Sequence, residues 1–201
     1  MVLKGRNKIV LILGRKGSGK TSLVRAIVPK LERVVVLDPL EEYHGLIRAR
    51  DFNSLLSFLE AVHEHRKIRI ACTFSTMEEY ERAIYLVREV GNIWIIIEEL
   101  NYFVDCWSHE EAYLDLIRFG RHDGVSILMV AQRAAEIPKL FTSQSDAIVS
   151  FKQTEPRDLD YLSKIGHIGE DGARTVAALP ILQGIPANVT VLRAYYSVFY
   201  A

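Results

Sequence analysis

Gly14-Arg15-Lys16-Gly17-Ser18-Gly19-Lys20-Thr21 is the stretch on which the reading of this chain turns. It matches the spacing G-x-x-x-x-G-K-[ST] without a gap. Glycines at these places let backbone N–H groups turn inward around phosphate oxygens without Cβ clashes. The helix expected next, over residues 20–28, points its positive end at the same anion. Lys20 reaches the β- and γ-phosphates, and Thr21 offers a hydroxyl to Mg²⁺. Upstream, Ile9–Leu13 is an uninterrupted apolar run and reads as a buried strand. The motif therefore stands between a strand and a helix, as its chemistry requires. ATP and Mg²⁺ are the cofactors this implies, with Gly14 to Thr21 as the nucleotide-binding residues.

Outward from the loop, short apolar runs alternate with amphipathic stretches. Arg33–Leu37, residues 67–74, 93–97, 125–131 and 147–151 read as strands. Phe52, Leu55, Leu56, Leu59 and Val62 recur at helical spacing. Ser75 with Glu78, or Thr76 with Glu79, supplies a capping box for a helix ending at Gly91. Ser108 with Glu111 opens another, to about Phe119. Residues 156–164 and 170–179 read as two short helices. From Ile181 to Tyr200, strand character broken by Gly184, Pro186 and Asn188 suggests a hairpin. Fully apolar strands alternating with helices predict an α/β fold, a mostly parallel central sheet flanked by helices. With no repeat or linker in view, residues 1–201 read as one domain.

The chain has 201 residues, 49 % of them hydrophobic, enough for a substantial core without disulfide or metal staples. Lys+Arg and Asp+Glu are balanced at 25 each, so no global basic excess points to nucleic acid. A ring with basic residues lining only its channel remains compatible with that balance. Cys72 and Cys106 have no metal-ligand spacing and suit a reducing cytoplasm. The first apolar run is too short for a signal peptide or a membrane span.

Three further stretches carry chemistry. In Ile93-Trp94-Ile95-Ile96-Ile97-Glu98-Glu99 an apolar strand ends in two carboxylates. Successive strand residues point to opposite faces, so the two acids need different tasks. Glu98 would hold Mg²⁺ with Thr21, and Glu99 would orient or deprotonate the attacking water. In Val35-Val36-Leu37-Asp38-Pro39-Leu40-Glu41-Glu42-Tyr43, Asp38 lies at a strand's carboxyl end, where ligands sit in open parallel sheets. Turn chemistry explains Asp38-Pro39 equally well. In Arg121-His122-Asp123-Gly124-Val125-Ser126 to Ala131-Gln132-Arg133, a strand is bracketed by Arg121 before and Gln132 after. Gln132 can hydrogen-bond the attacking water or the γ-phosphate; a plain loop amide is the competing reading. Arg121 lies a seven-residue strand away, about 20 Å. It makes sense as a finger inserted into a neighbouring subunit, or else as a surface cation. His109, His122 and His167 have no ligand spacing. Lys20, Glu99, Gln132 and Arg121 are thus the candidate catalytic residues.

In this order the elements resemble the FtsK–HerA superfamily of P-loop ATPases. The matching positions are the loop from Gly14 to Thr21, the Asp38-Pro39 … Glu42-Tyr43 turn, the strand into Glu98-Glu99, and the arginine–strand–glutamine segment continuing to Ser143-Gln144-Ser145-Asp146. The resemblance implies a RecA-like core with an additional strand, and a ring, hexameric or pentameric, that moves double-stranded DNA. Two places depart from the pattern. Glu98 stands where the superfamily usually has aspartate, which moves the metal-facing carboxylate outward. Ala134-Ala135 replaces a proline-containing continuation. With neither an N-terminal barrel nor a membrane segment in view, the chain looks like the genome-packaging ATPases of tailless icosahedral viruses with an internal membrane. That resemblance implies capsid or membrane-vertex partners and a place in the host cytoplasm or virion. The alternatives are a HerA-like cellular translocase or helicase, a small-molecule kinase, and an assembly or secretion component that never touches DNA. Lys139, Arg133 and Lys152 are candidate DNA contacts because they are basic and lie near the Gln132 region.

Overall fold

The computed structural model describes residues 7–61, 67–104, 111–180 and 196–200. Eight strands form one sheet: β1 (Ile9–Leu13), β2 (Arg33–Leu37), β3 (Ile47–Ala49), β4 (Ile68–Cys72), β5 (Ile93–Ile97), β6 (Val125–Ala131), β7 (Ala147–Phe151) and β8 (Tyr196–Tyr200). Their spatial order is β3-β4-β2-β5-β6-β1-β7-β8. Every pairing is parallel except β7 with β8, which is antiparallel. The mostly parallel α/β sheet and its antiparallel C-terminal strand agree with the reading of the sequence. The turn expected near Gly184 and Pro186 lies outside the described residues.

The helices are α1 (Lys20–Ile27), α2 (Phe52–Ala61), α3 (Met77–Val90), α4 (Leu100–Phe103), α5 (Glu111–Phe119), α6 (Lys139–Ser143), α7 (Pro156–Ser163) and α8 (Gly169–Ala178). Alternation along each strand sorts the core into two layers. Ile9, Leu11 and Leu13 of β1 pack with Ile93, Ile95 and Ile97 of β5 against α2, α3, α5, α7 and α8. Val10 and Ile12 pack with Ile96, Leu128 and Val130 against Leu23, Val24 and Ile27 of α1, and against Tyr43. The strands read as continuous apolar runs because both faces are covered.

α3 shows how local sequence sets an element. Tyr80, Ala83, Ile84 and Val87 are buried at helical spacing. Thr76 caps the helix by accepting from Glu79 N, and Gly91, at φ 56°, ends it. The capping box is modified: Glu79 reaches the Thr76 hydroxyl with one oxygen and accepts from Phe52 N with the other. It thereby ties the start of α2 to the start of α3. The box expected at Ser108 lies outside the described residues, although α5 ends at Phe119 as expected. β3, α4 and α6 have three to five residues each, too few for a periodic pattern to announce them.

Candidate nucleotide site

β1 delivers Gly14 to the carboxyl edge of the sheet, and α1 starts at Lys20 with Gly19 as its N-cap at φ 101°. Only glycine takes that conformation freely. At Gly14 the constraint is space: a Cβ there would stand 2.6 Å from Ser18 Oγ and 2.7 Å from Phe151 Cβ. The resulting loop lines a cleft of about 330 Å³ together with Thr21, Arg25, Glu42 and Glu99. Arg15 and Lys16 are exposed on its rim. The Lys20 ammonium is buried and donates to Gly14 O at 2.6 Å and Arg15 O at 3.1 Å. Burial lowers its pKa, against the pull of Glu99, Glu98 and Glu42.

The two acids differ from the strand-end picture. β5 stops at Ile97, and Glu98 and Glu99 both lie in the turn before α4. Strand alternation therefore does not separate them. Glu99 takes φ 53°, ψ 54° as the N-cap of α4. This left-handed step brings its side chain back to the cleft that the phosphate loop lines. There Glu99 Oε2 accepts from Gln132 Nε2 at 2.7 Å. Gln132 follows β6, the strand inserted between the phosphate-loop strand β1 and the acid-bearing strand β5. Register explains the meeting: Leu13 pairs with Ala131 and Ile97 with Met129, so the three chain ends emerge side by side.

Glu98 points to the α1 side and is buried. The Tyr43 hydroxyl donates to its Oε1. Burial, followed by the charge of Glu98, keeps the phenol protonated and able to donate. Glu98 Oε2 and Ser18 Oγ are buried without a hydrogen-bond partner. One carboxylate oxygen left open beside a phosphate loop, with Thr21 on the cleft wall, is a donor set that would suit a divalent cation. Among the described residues no cluster of three or more His, Cys, Asp or Glu forms an all-protein metal cage. A cation completed by phosphate oxygens does not need one.

At this edge Asp38 takes the turn role that the sequence left open beside a ligand role, while Asn101 and Gln153 escaped the sequence reading. Asp38 is a turn anchor: it accepts from Glu42 N at 2.8 Å and Tyr43 N at 3.1 Å, and Arg48 donates to it at 3.0 Å. Asn101, two residues past Glu99, accepts from Gln132 N at 2.8 Å and donates to Arg133 O at 3.4 Å. Gln153 donates to Gln132 O at 3.4 Å. Short amides at loop ends carry no periodic signal, so nothing in the sequence marked them. Arg133 donates to the buried Asp158 at 2.8 Å, with Glu136 and Glu155 nearby. That engagement disfavours it as a DNA contact.

Arg121 stands apart from this group, at the amino end of β6. It is 42 % exposed and pairs with Asp146 at 3.1 Å, and it donates to Gln144 O at 3.0 Å. Asp146 also accepts from Ile9 N at 2.8 Å, so this pair pins the entry of β1. His122 is exposed, and the buried Cys72 thiol is pushed up by desolvation. No described helix is long and apolar enough to cross a membrane.

No protein-family model matches the chain. In sequence it is similar to the DNA double-strand break repair helicase HerA of Pyrococcus furiosus, 26 % identical over 159 residues. That match covers 71 % of this chain and 28 % of HerA, so the chain spans little more than a quarter of that relative. In structure it is similar to the genome packaging NTPase of Sulfolobus turreted icosahedral virus 2 in complex with ATPγS. The TM-score is 0.72 at 21 % identity, over 87 % of this chain and 88 % of the other. VirB4 of Thermoanaerobacter pseudethanolicus has a TM-score of 0.58 at 10 % identity, over 86 % and 84 %. With β6 inserted between the phosphate-loop and acid-bearing strands, and with these likenesses in structure, the chain has a P-loop NTPase fold.

Proposed function

We propose that this chain is an ATP-hydrolysing motor that translocates double-stranded DNA, packaging a viral genome into a capsid. One observation carries the hydrolytic part: Glu99 and Gln132 meet at 2.7 Å beside the phosphate loop. A carboxylate and an amide so placed suit water as the acceptor, one taking its proton and the other orienting it. Lys20 leaves the backbone carbonyls of Gly14 and Arg15 for the β- and γ-phosphate oxygens. Thr21 and Glu98 would hold Mg²⁺, which would neutralise charge on those phosphates. Arg121 serves the site of the next subunit in a homo-oligomeric ring.

The DNA-packaging part rests on likeness. The packaging NTPase is matched over 88 % of its length, so the similarity includes nearly its whole chain. The sequence match to HerA favours a second reading, a cellular translocase or helicase. A kinase fits less well, since after Lys152 the arginines are only Arg157, Arg174 and Arg193, too scattered for a lid over the phosphates.

The deciding experiment is ATP hydrolysis with and without long linear duplex DNA, followed by strand displacement on a forked duplex. Stimulation by duplex without strand displacement is the expected result. Displacement of the fork would select the helicase reading. Turnover indifferent to DNA would sink the motor, and phosphate transfer to an organic acceptor would identify a kinase.

A further inference from the structure

We infer that Tyr43 is a positioning residue that fixes Glu98 for the divalent cation, making up for the length of a glutamate at that place. The inference rests on the nucleotide-site reading above. Glutamate carries its carboxylate about 1.5 Å further than aspartate, through one more rotatable bond. An unrestrained glutamate at a loop end would spread its carboxylate over several rotamers. Here the Tyr43 hydroxyl holds Oε1, while Oε2 is buried with no hydrogen-bond partner. Buried acceptors are rarely left open, so this oxygen calls for a partner that the protein does not supply.

Tyr43 is itself fixed from several sides. Its N–H donates to Asp38 at 3.1 Å, and its carbonyl accepts from Arg48 at 3.1 Å and from Leu46 N at 3.4 Å. The Arg25 guanidinium lies 5.9 Å from the ring centroid. Asp38 is buried and also anchors Glu42 N, so the whole turn is built around its ion pair with the partly exposed Arg48. The turn delivers one phenol to one carboxylate 55 residues away in sequence. Outer groups that orient a ligand in this way typically change metal affinity by about 10- to 100-fold.

The test measures binding, not turnover. ATPγS affinity is determined by calorimetry in EDTA and in Mg²⁺ for the full chain, Tyr43→Phe and Glu98→Gln. The wild type should gain affinity on adding Mg²⁺, and Glu98→Gln should lose that gain. Tyr43→Phe keeps the ring and should match the wild type in EDTA, yet lose about tenfold of the Mg²⁺ gain. Equal weakening in EDTA and in Mg²⁺ would mean a packing role only and overturn the inference. A full Mg²⁺ gain in Tyr43→Phe, with Glu98→Gln deficient, would overturn it too and leave the site reading standing. No Mg²⁺ gain in the wild type, or an undiminished gain in Glu98→Gln, would remove the site reading and the inference together. Should Tyr43→Phe fail to fold, Arg48→Gln loosens the same turn from its partly exposed side and carries the same expectations.

Discussion

Burial pushes the Glu98 carboxyl up to about 8 from its ordinary 4.5; the Tyr43 hydrogen bond and Lys20 oppose the shift, while Glu42 and Glu99 add to it. The folded protein thus holds a proton that the unfolded chain releases. The stability from this group is complete below about pH 4.5 and is lost as pH rises through about 8. Urea unfolding of the metal-free protein should therefore show stability falling across that window, and Glu98→Gln should flatten the fall; an unchanged slope would mean that Glu98 is ionised in the folded state. Lys20 and Glu99 have separable tasks. Lys20→Ala should abolish hydrolysis and most nucleotide affinity, because the phosphates lose the one ammonium that the loop buries. Glu99→Gln should bind ATP normally and stall before hydrolysis, since an amide accepts no proton. Equilibrium binding with single-turnover hydrolysis separates the two, and a hydrolysing Glu99→Gln would reverse the roles given to the acids.

At the level of elements, β6 and the short α4 work as a unit. β6 brings Gln132 between the phosphate loop and the acids, and α4 puts Asn101 against the Gln132 backbone. Glu99 and Asn101 belong to the same turn of chain, so the carboxylate and the clamp move together. Asn101→Ala should leave ATP affinity intact and cut turnover by about 100-fold, the scale of a one-ångström misplacement of a reacting group. A variant losing affinity and turnover in parallel would instead mean that the clamp supports the fold of the whole edge. α7 adds a second restraint from the opposite side, through Asp158 on Arg133 and on Ala135 N at 3.0 Å.

For the whole molecule, Arg121 bears on how one copy of the chain would meet another. The sheet places it at the edge opposite the nucleotide cleft, so any part it takes in hydrolysis is played on another copy of the chain. Its pairing with Asp146 is partly exposed and contributes on the order of 1 kcal/mol or less to stability. Arg121→Ala should accordingly fold and bind ATP, yet lose about 10³-fold or more in turnover. Mixed with Lys20→Ala subunits it should regain activity, because those copies still donate Arg121 to an intact phosphate loop. A co-assembled but inactive mixture would confine Arg121 to pinning β1 through Asp146.

The phosphate loop, the strand–helix alternation and most core strands were legible in the sequence, because each depends on neighbours within a few residues. Gly14 to Thr21 sets its own backbone, and apolar runs announce strands covered on both faces. The acid pair was legible as chemistry and misjudged as geometry. The strand ends at Ile97 as read, but a left-handed residue at Glu99 puts both acids in a turn and brings the Glu99 side chain to the cleft, and φ is not written in a glutamate. Tyr43 on Glu98 and Asn101 on Gln132 join residues 55 and 31 apart. Such pairs arise only once the strand order is set. A glycine-rich loop between β1 and α1, suited to a nucleotide's phosphates, could be read from the chain alone, since that motif is local. Which side chains aim the acids and the amide there was decided by the tertiary structure alone, because side-chain direction at a loop end follows from packing between elements.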